Sequence, residues 1–392
     1  MGIIDPLYYE RTEKIMAERE SYLDKIKGGL IGGAIGDALG YPVEFMNWEE
    51  IKKEYKDGGI QEYTLDFDAG VAVISDDTQM SLFTANGILI GETNSLLYGD
   101  RRSVSNYVYD AYLEWLKTQN WTIDRDFKNS CWLYDIPDMH CRRAPGNTCL
   151  SALRSGEMGS VESPINLSKG CGGVMRVAPL ALHYKPVSEE ELRMLDYKGA
   201  QIAAITHGNP LGYIPAAILT HIISIGVYGE KGLTLREAVN EAWDTVHDLF
   251  RDRVDEEYLS AMDILLTKAI SLAETPGEDE KHIKAIGDGW TGDEALAIAI
   301  YCSLRYPDDF SKAVIAAVNH DGDSDSTGAV TGNILGAWLG YEAIDEKWKR
   351  NLEMKGILLT MAEDLCYGCW MVQGDDFVDE AWVRRYCEGR AQ

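Results

Sequence analysis

Two short clusters in this chain mix carboxylates with hydroxyls. Ser75-Asp76-Asp77-Thr78 stands just before the apolar helical pattern Met80–Ile88, and Asp321-Gly322-Asp323-Ser324-Asp325-Ser326-Thr327 stands just before a segment rich in Gly and Ala. Adjacent carboxylates repel each other, and a cation between them relieves the repulsion. Interleaved hydroxyls add oxygen ligands of the kind that Mg²⁺, Mn²⁺ or Ca²⁺ prefer. The same residue types also cap helix N-termini, and for either cluster alone capping is the plainer account. The second cluster is not an EF-hand loop, because its sixth position is Ser326 and its twelfth is Gly332.

Two further segments carry chemistry. In Gly32-Gly33-Ala34-Ile35-Gly36-Asp37-Ala38-Leu39-Gly40-Tyr41-Pro42-Val43-Glu44-Phe45, small residues permit close helix packing, Asp37 can accept backbone N–H bonds, and Pro42 ends the helix. Glu44 follows between Val43 and Phe45, where partial burial would raise its pKa toward an acid/base range. Lys169-Gly170-Cys171-Gly172-Gly173-Val174-Met175-Arg176 is glycine-rich enough to wrap a phosphate with backbone N–H groups, with Arg176 adding charge or pairing internally. No Gly-Lys-Ser/Thr ending follows, so it is not a Walker A loop.

The elements that must position these residues read as helices almost throughout. The pattern predicts helices over about Glu10–Leu39, Leu192–Thr206, Ala238–Phe250, Ala295–Leu304, Ser311–Asn319 and Thr327–Leu339. Three of their starts have capping-box spacing: Ser188-x-x-Glu191, Thr234-x-x-Glu237 and Thr291-x-x-Glu294. Strand signals are poor: short stretches such as Tyr63–Leu65 and Val71–Ile74 could pair, but nothing repeats at the spacing of a sandwich or of βαβ units. Residues 119–173 lack periodicity and read as a functional loop region. No linker divides the chain, so one all-α domain is expected.

Composition narrows the function classes. The 392 residues include 64 acidic and 37 basic ones, a formal charge of −27, and 45% are hydrophobic. That is a core-building chain that should repel nucleic acid and anionic membranes. The apolar run Leu211–Tyr228 contains Pro215 and His221 and reads as a buried core helix. The N-terminus has no basic and apolar leader pattern, and the eight cysteines show no framework spacing, which together suggest a reducing, cytoplasmic setting. Cys366-x-x-Cys369 has no second pair nearby and reads as two free thiols.

Taken together, the motifs resemble the ADP-ribosylglycohydrolase family, which includes the ADP-ribosyl-acceptor hydrolases and dinitrogenase reductase-activating glycohydrolase. The matching segments are Gly36-Asp37-Ala38-Leu39-Gly40 with Glu44, Ser75-Asp76-Asp77-Thr78-Gln79-Met80, Gly146-Asn147-Thr148, Gly170-Cys171-Gly172-Gly173-Val174-Met175-Arg176, Thr206-His207 and Gly322-Asp323-Ser324-Asp325-Ser326. They span about residues 25–340 in the family's order.

The resemblance implies a single orthogonal multi-helix domain over residues 25–392, preceded by a helical lead-in over 1–24. It implies a central cleft holding two divalent cations, Mg²⁺ first and Mn²⁺ second. Ser75, Asp76, Asp77, Asp323, Asp325 and Ser326 match metal ligands. Glu44, Asp76 and Asp323 match catalytic positions. Gly146, Asn147, Thr148, Gly170, Cys171, Gly172, Gly173, Val174, Met175 and His207 match substrate-binding ones. The activity implied is hydrolysis of the N- or O-glycosidic bond at the ribose C1 of ADP-ribosylated proteins or small molecules, releasing ADP-ribose. Nucleic acid would enter only as a modified substrate. The alternative is an ADP-ribose-binding or toxin-neutralising protein that acts by occupying a partner. Cys171 and Ala144 depart from residues common among relatives, which leaves the acceptor open.

Overall fold

A computed structural model describes residues 6–56, 58–121, 130–229, 232–371 and 378–391, with side chains from residue 17 onward. Among these residues seventeen α-helices follow in chain order. The first half contains α1 (Pro6–Gly40), α2 (Trp48–Tyr55), α3 (Asp76–Tyr98), α4 (Val104–Thr118), α5 (Asn147–Arg154), α6 (Ala178–His183), α7 (Glu189–Ala204) and α8 (Pro210–Tyr228). The second half contains α9 (Leu235–Phe250), α10 (Glu256–Glu274), α11 (Asp279–Ile286), α12 (Gly292–Arg305), α13 (Phe310–Val318), α14 (Ser324–Leu339), α15 (Glu346–Lys349), α16 (Lys355–Tyr367) and α17 (Glu380–Trp382). Among the described residues there is no β-ladder. Val71–Ile74 forms only an isolated bridge, Ala72 to Leu352.

The packing of α1 against α14 organises the fold. Gly28, Gly32, Gly36 and Gly40 recur every fourth residue along α1 and meet Gly336, Gly332, Gly328 and Ser324 of α14 in reverse order. A Cβ at Gly36 would stand 1.9 Å from the Gly328 carbonyl oxygen, so the two backbones touch along a strip that only glycine permits. This contact carries the C-terminal end of α1 to the N-terminal end of α14. There Asp37 accepts the backbone N–H of Ser75 (3.0 Å) and of Thr78 (3.1 Å), so a carboxylate on α1 caps α3. The N-termini of α3 and α14, with their two acidic clusters, are thereby brought to one place.

The expected helices are present, with starts and ends moved by a few residues. The run ending at Tyr228 is α8, long and apolar enough to cross a membrane, and 89% of its apolar window is buried inside the chain. Of the three expected capping boxes, only Thr234–Glu237 closes reciprocally. Ser188 accepts the Glu191 N–H, but the Glu191 carboxylate turns to Val187 N–H (3.0 Å). At α12 the box fails altogether, because Glu294 accepts the N–H of Asp288 (3.2 Å) and leaves the buried Thr291 hydroxyl without a partner. Among its described residues the 119–173 region holds three 3₁₀ turns and α5, and residues 122–129 lie outside the described ones. All eight cysteines are free.

Candidate active site

Glu44 is positioned by the way α1 stops. Pro42 cannot continue the helix, a 3₁₀ turn over Tyr41–Val43 follows, and Glu44 N–H closes on the Tyr41 carbonyl (3.4 Å). Its side chain enters a buried pocket of carboxylates. One oxygen each from Glu44, Asp323 and Asp325 lie within 4.8 Å of one another. Glu44 Oε2 and Asp77 Oδ2 are buried without a hydrogen-bond partner.

Burial is the largest influence on every acid here, and the acids then act on each other. Glu44 is pushed up to about 10, by desolvation and then by Asp325, Asp323, Asp76 and Asp37. Asp37 is raised to about 7 by burial and Asp325. Asp76, Asp77 and Asp325 are held well above the usual carboxylate range, and Asp323 is raised. The capping reading of the acidic clusters holds, and the same carboxylates also gather in one place. Ser75 Oγ accepts the Asp77 N–H (3.1 Å) and Asp323 Oδ1 accepts the Ser326 N–H (3.4 Å), as capping requires. Asp76, Asp77, Asp323, Asp325 and Ser326 nonetheless all line one cleft. Asp321 departs from its cluster: it accepts Trp48 N–H (2.6 Å) and faces Lys284.

The donor chemistry fits divalent cations. The donors are carboxylates and hydroxyls, the charges acting most strongly on Glu44 are all negative, and two buried carboxylate oxygens lack any donor. Unpartnered buried anions of this kind are costly, and hard cations with oxygen ligands would relieve the cost. Ser75 is fully buried behind Asp77 and does not line the cleft, whereas Ser326 does.

The cleft has a volume of about 320 Å³, within the range of small-molecule sites. Gly146, Asn147 and Thr148 line it at the start of α5, and Gly146 N–H donates to Asp76 Oδ2 (3.3 Å). Gly170, Cys171, Gly172 and Met175 line the facing wall, and Cys171 Sγ donates to Asp323 Oδ2 (2.7 Å). Gly172 is packed so closely that a Cβ would stand 2.9 Å from Cys149 Sγ and 3.0 Å from the His207 ring. His207 is buried, with Nδ1 2.8 Å from Thr206 Oγ1, and desolvation holds its pKa down at about 3, so the ring is neutral. Gly173 and Val174 are buried behind the wall and do not line the cleft. Arg176 is fully buried over the Tyr112 ring (4.3 Å) and bonds Thr206, which settles its role as internal.

The family model for ADP-ribosylglycohydrolase matches residues 18–374. The chain belongs to that family. An uncharacterised protein of Archaeoglobus fulgidus is 28% identical to it over 87% of this chain and 96% of that protein. The ADP-ribosyl-[dinitrogen reductase] glycohydrolase of Rhodospirillum rubrum is 27% identical over 85% and 91%. The human ADP-ribosylhydrolase ARH3 is 26% identical, but that match spans about half of each chain, 47% and 54%. Among solved structures, an ADP-ribosylglycohydrolase-related protein complex superposes with a TM-score of 0.58 at 22% identity, covering 89% of this chain and 98% of that one, which shows the shared fold. As an ADP-ribosylglycohydrolase the chain is an enzyme, and the cleft just described is its candidate active site.

Six lining or supporting residues had no sequence assignment as site members: Phe45, Ala144, Pro145, Cys149 and Trp290 in the wall, and Asp37 beneath it. Only Asp37 carried a usable signal, its place in the Gly-Asp-Ala-Leu-Gly segment.

Proposed function

We propose that this ADP-ribosylglycohydrolase is a divalent-cation-dependent hydrolase of the bond at ribose C1 in ADP-ribosylated substrates, releasing ADP-ribose. The observation that carries the reading is the unpartnered Glu44 Oε2, buried beside Asp323 and Asp325 on the floor of a cleft. Asp76, Asp77, Asp323 and Asp325, with the hydroxyls of Ser75 and Ser326, would hold two cations, Mg²⁺ or Mn²⁺. When bound, these would orient the ribose hydroxyls and make a water more acidic.

The chain's own residues supply the rest. Breaking the glycosidic bond develops positive charge at the ribose ring, and a floor of carboxylates suits that charge. Glu44 Oε2, free of other partners, is the atom placed to handle the proton exchanged between water and leaving group. Gly170 and Gly172 present backbone rather than side chain to the cleft, so a diphosphate can approach closely. Neutral His207, with Nδ1 anchored on Thr206, keeps its other ring nitrogen for a sugar hydroxyl. The eight unpaired cysteines suit the reducing cytoplasmic setting proposed with it.

A panel of ADP-ribosylated substrates (arginine, serine, nucleic-acid ends, O-acetyl-ADP-ribose), assayed with and without EDTA and with products identified by mass, tests this. ADP-ribose released only without chelator is expected. Turnover indifferent to EDTA, or AMP or phosphate as product, contradicts it. Protection against an ADP-ribosylating toxin retained by a catalytically dead Glu44→Gln variant would favour the binding-protein alternative.

A further inference from the structure

Two large apolar side chains line the cleft while remaining open to water. Phe45 is 72% exposed and Trp290 41% exposed, and their rings stack with centroids 5.7 Å apart and planes at 21°. Side chains of this size, exposed as a pair, serve a surface that binds something. Both are held by firm backbone. Phe45 directly follows Glu44 on the turn that closes α1. Trp290 follows Gly289, whose φ of +82° turns the chain outward, and the Trp290 carbonyl accepts the Cys171 N–H at 3.2 Å. One residue earlier, the Asp288 carbonyl accepts the Asp323 N–H at 2.9 Å. The stacked pair therefore joins the lip that carries Glu44 to the lip that carries Asp323.

This placement has a chemical meaning. If the ribose carbon reacts beside Glu44, the group attached to it leaves past Phe45 and Trp290. The exposed face of such a pair attracts a flat cation through the ring quadrupoles. The exposed Asp288 stands two residues from Trp290, on a chain of formal charge −27. A neutral hydroxyl acceptor gains nothing from these features, whereas a guanidinium gains from both. The geometry points to Phe45 and Trp290 as the pair that recognises the acceptor, selecting a planar cation, the guanidinium of an arginine side chain. That selection rests on the hydrolase reading above.

The test uses two peptides of the same sequence context, one ADP-ribosylated on arginine and one on serine, with the wild type and with Trp290→Ala, Phe45→Ala and Trp290→Phe. Both side chains are exposed, so the variants should fold. Rates on each peptide are measured beside the affinity for free ADP-ribose by calorimetry. Wild type should prefer the arginine peptide. The two alanine variants should lower the arginine-to-serine ratio of kcat/KM by about tenfold, Trp290→Phe should keep most of the preference, and ADP-ribose affinity should move less than about twofold. An unchanged ratio overturns the assignment. So does a loss of ADP-ribose affinity that matches the loss of arginine turnover, since the pair would then be stacking the adenine. A wild type active on serine alone removes the guanidinium selection but leaves the hydrolase reading intact, and a wild type inert on both peptides removes both.

Discussion

Two buried glutamates in this molecule live in opposite circumstances. Glu114, on α4, accepts Ser130 N–H (2.7 Å) and Ser130 Oγ (2.8 Å) on one oxygen and Cys131 N–H (3.0 Å) on the other. Glu44 sits among carboxylates and has an oxygen with no partner at all. Burial raises the pKa of both, but donors oppose the rise at Glu114 whereas neighbouring acids add to it at Glu44. The first arrangement ties the chain after α4 to the fold. The second is sustained only because α1, α3 and α14 are locked elsewhere, by the glycine strip and the Asp37 cap. Stability is given up at one site and supplied at another, a pattern expected where function needs unsatisfied groups.

Exchanging charge for an isosteric amide or a methyl at each glutamate sharpens the contrast. The largest effect expected is on turnover: Glu44→Gln should lower kcat by roughly 10³-fold while the protein stays folded by circular dichroism. A variant within a few-fold of wild type would remove Glu44 from the chemistry. Next, Glu114→Ala should cost about 3 kcal/mol of unfolding free energy in urea, because two backbone N–H groups lose their acceptor. A change below about 0.5 kcal/mol would make the Glu114 network decorative. Smaller again, Glu44→Gln should raise the melting temperature in EDTA by a few degrees, the opposite sign to Glu114→Ala. A fall would show that Glu44 is satisfied after all.

The pH dependence follows from the raised acids. In the cation-free protein Asp37 holds its proton to about pH 7 and Glu44 to about 10, whereas the unfolded chain releases both near 4. Between those limits the folded state binds more protons, so stability falls as pH rises. Melting in EDTA should therefore drop from pH 6 to pH 8.5, and Mg²⁺ should flatten that slope by taking the place of the protons. A flat or rising curve in EDTA would contradict the acid cluster. His207, held near 3, should remain neutral from pH 5 to 8 by NMR. Titration within that window would place it in water.

Much of this was legible in the residues. The hydroxyl–carboxylate clusters stand at helix starts, so their side chains aim one way, and the ordered motifs named the family before any geometry. What was not legible depended on distance across the fold. Burial of Glu44 was expected from Val43 and Phe45; Val43 is buried, but Phe45 is the more exposed of the stacked pair, and the groups beside the Glu44 carboxylate are Asp323 and Asp325. The contact of Cys171 with Asp323 joins residues far apart in sequence, as does the stack of Phe45 on Trp290. The capping box at Thr291 failed because Glu294 serves the Asp288 turn, a demand set by the cleft and invisible in local spacing.

The central claim, that the unpaired carboxylates of the cleft form a cation site, is tested most directly by calorimetric titration of the EDTA-stripped protein with Mn²⁺, alongside Asp323→Asn. Binding with a stoichiometry approaching two ions per chain, displacing protons and markedly weakened in the variant, is the result expected. No heat of binding up to millimolar Mn²⁺, or equal binding by wild type and Asp323→Asn, would contradict it.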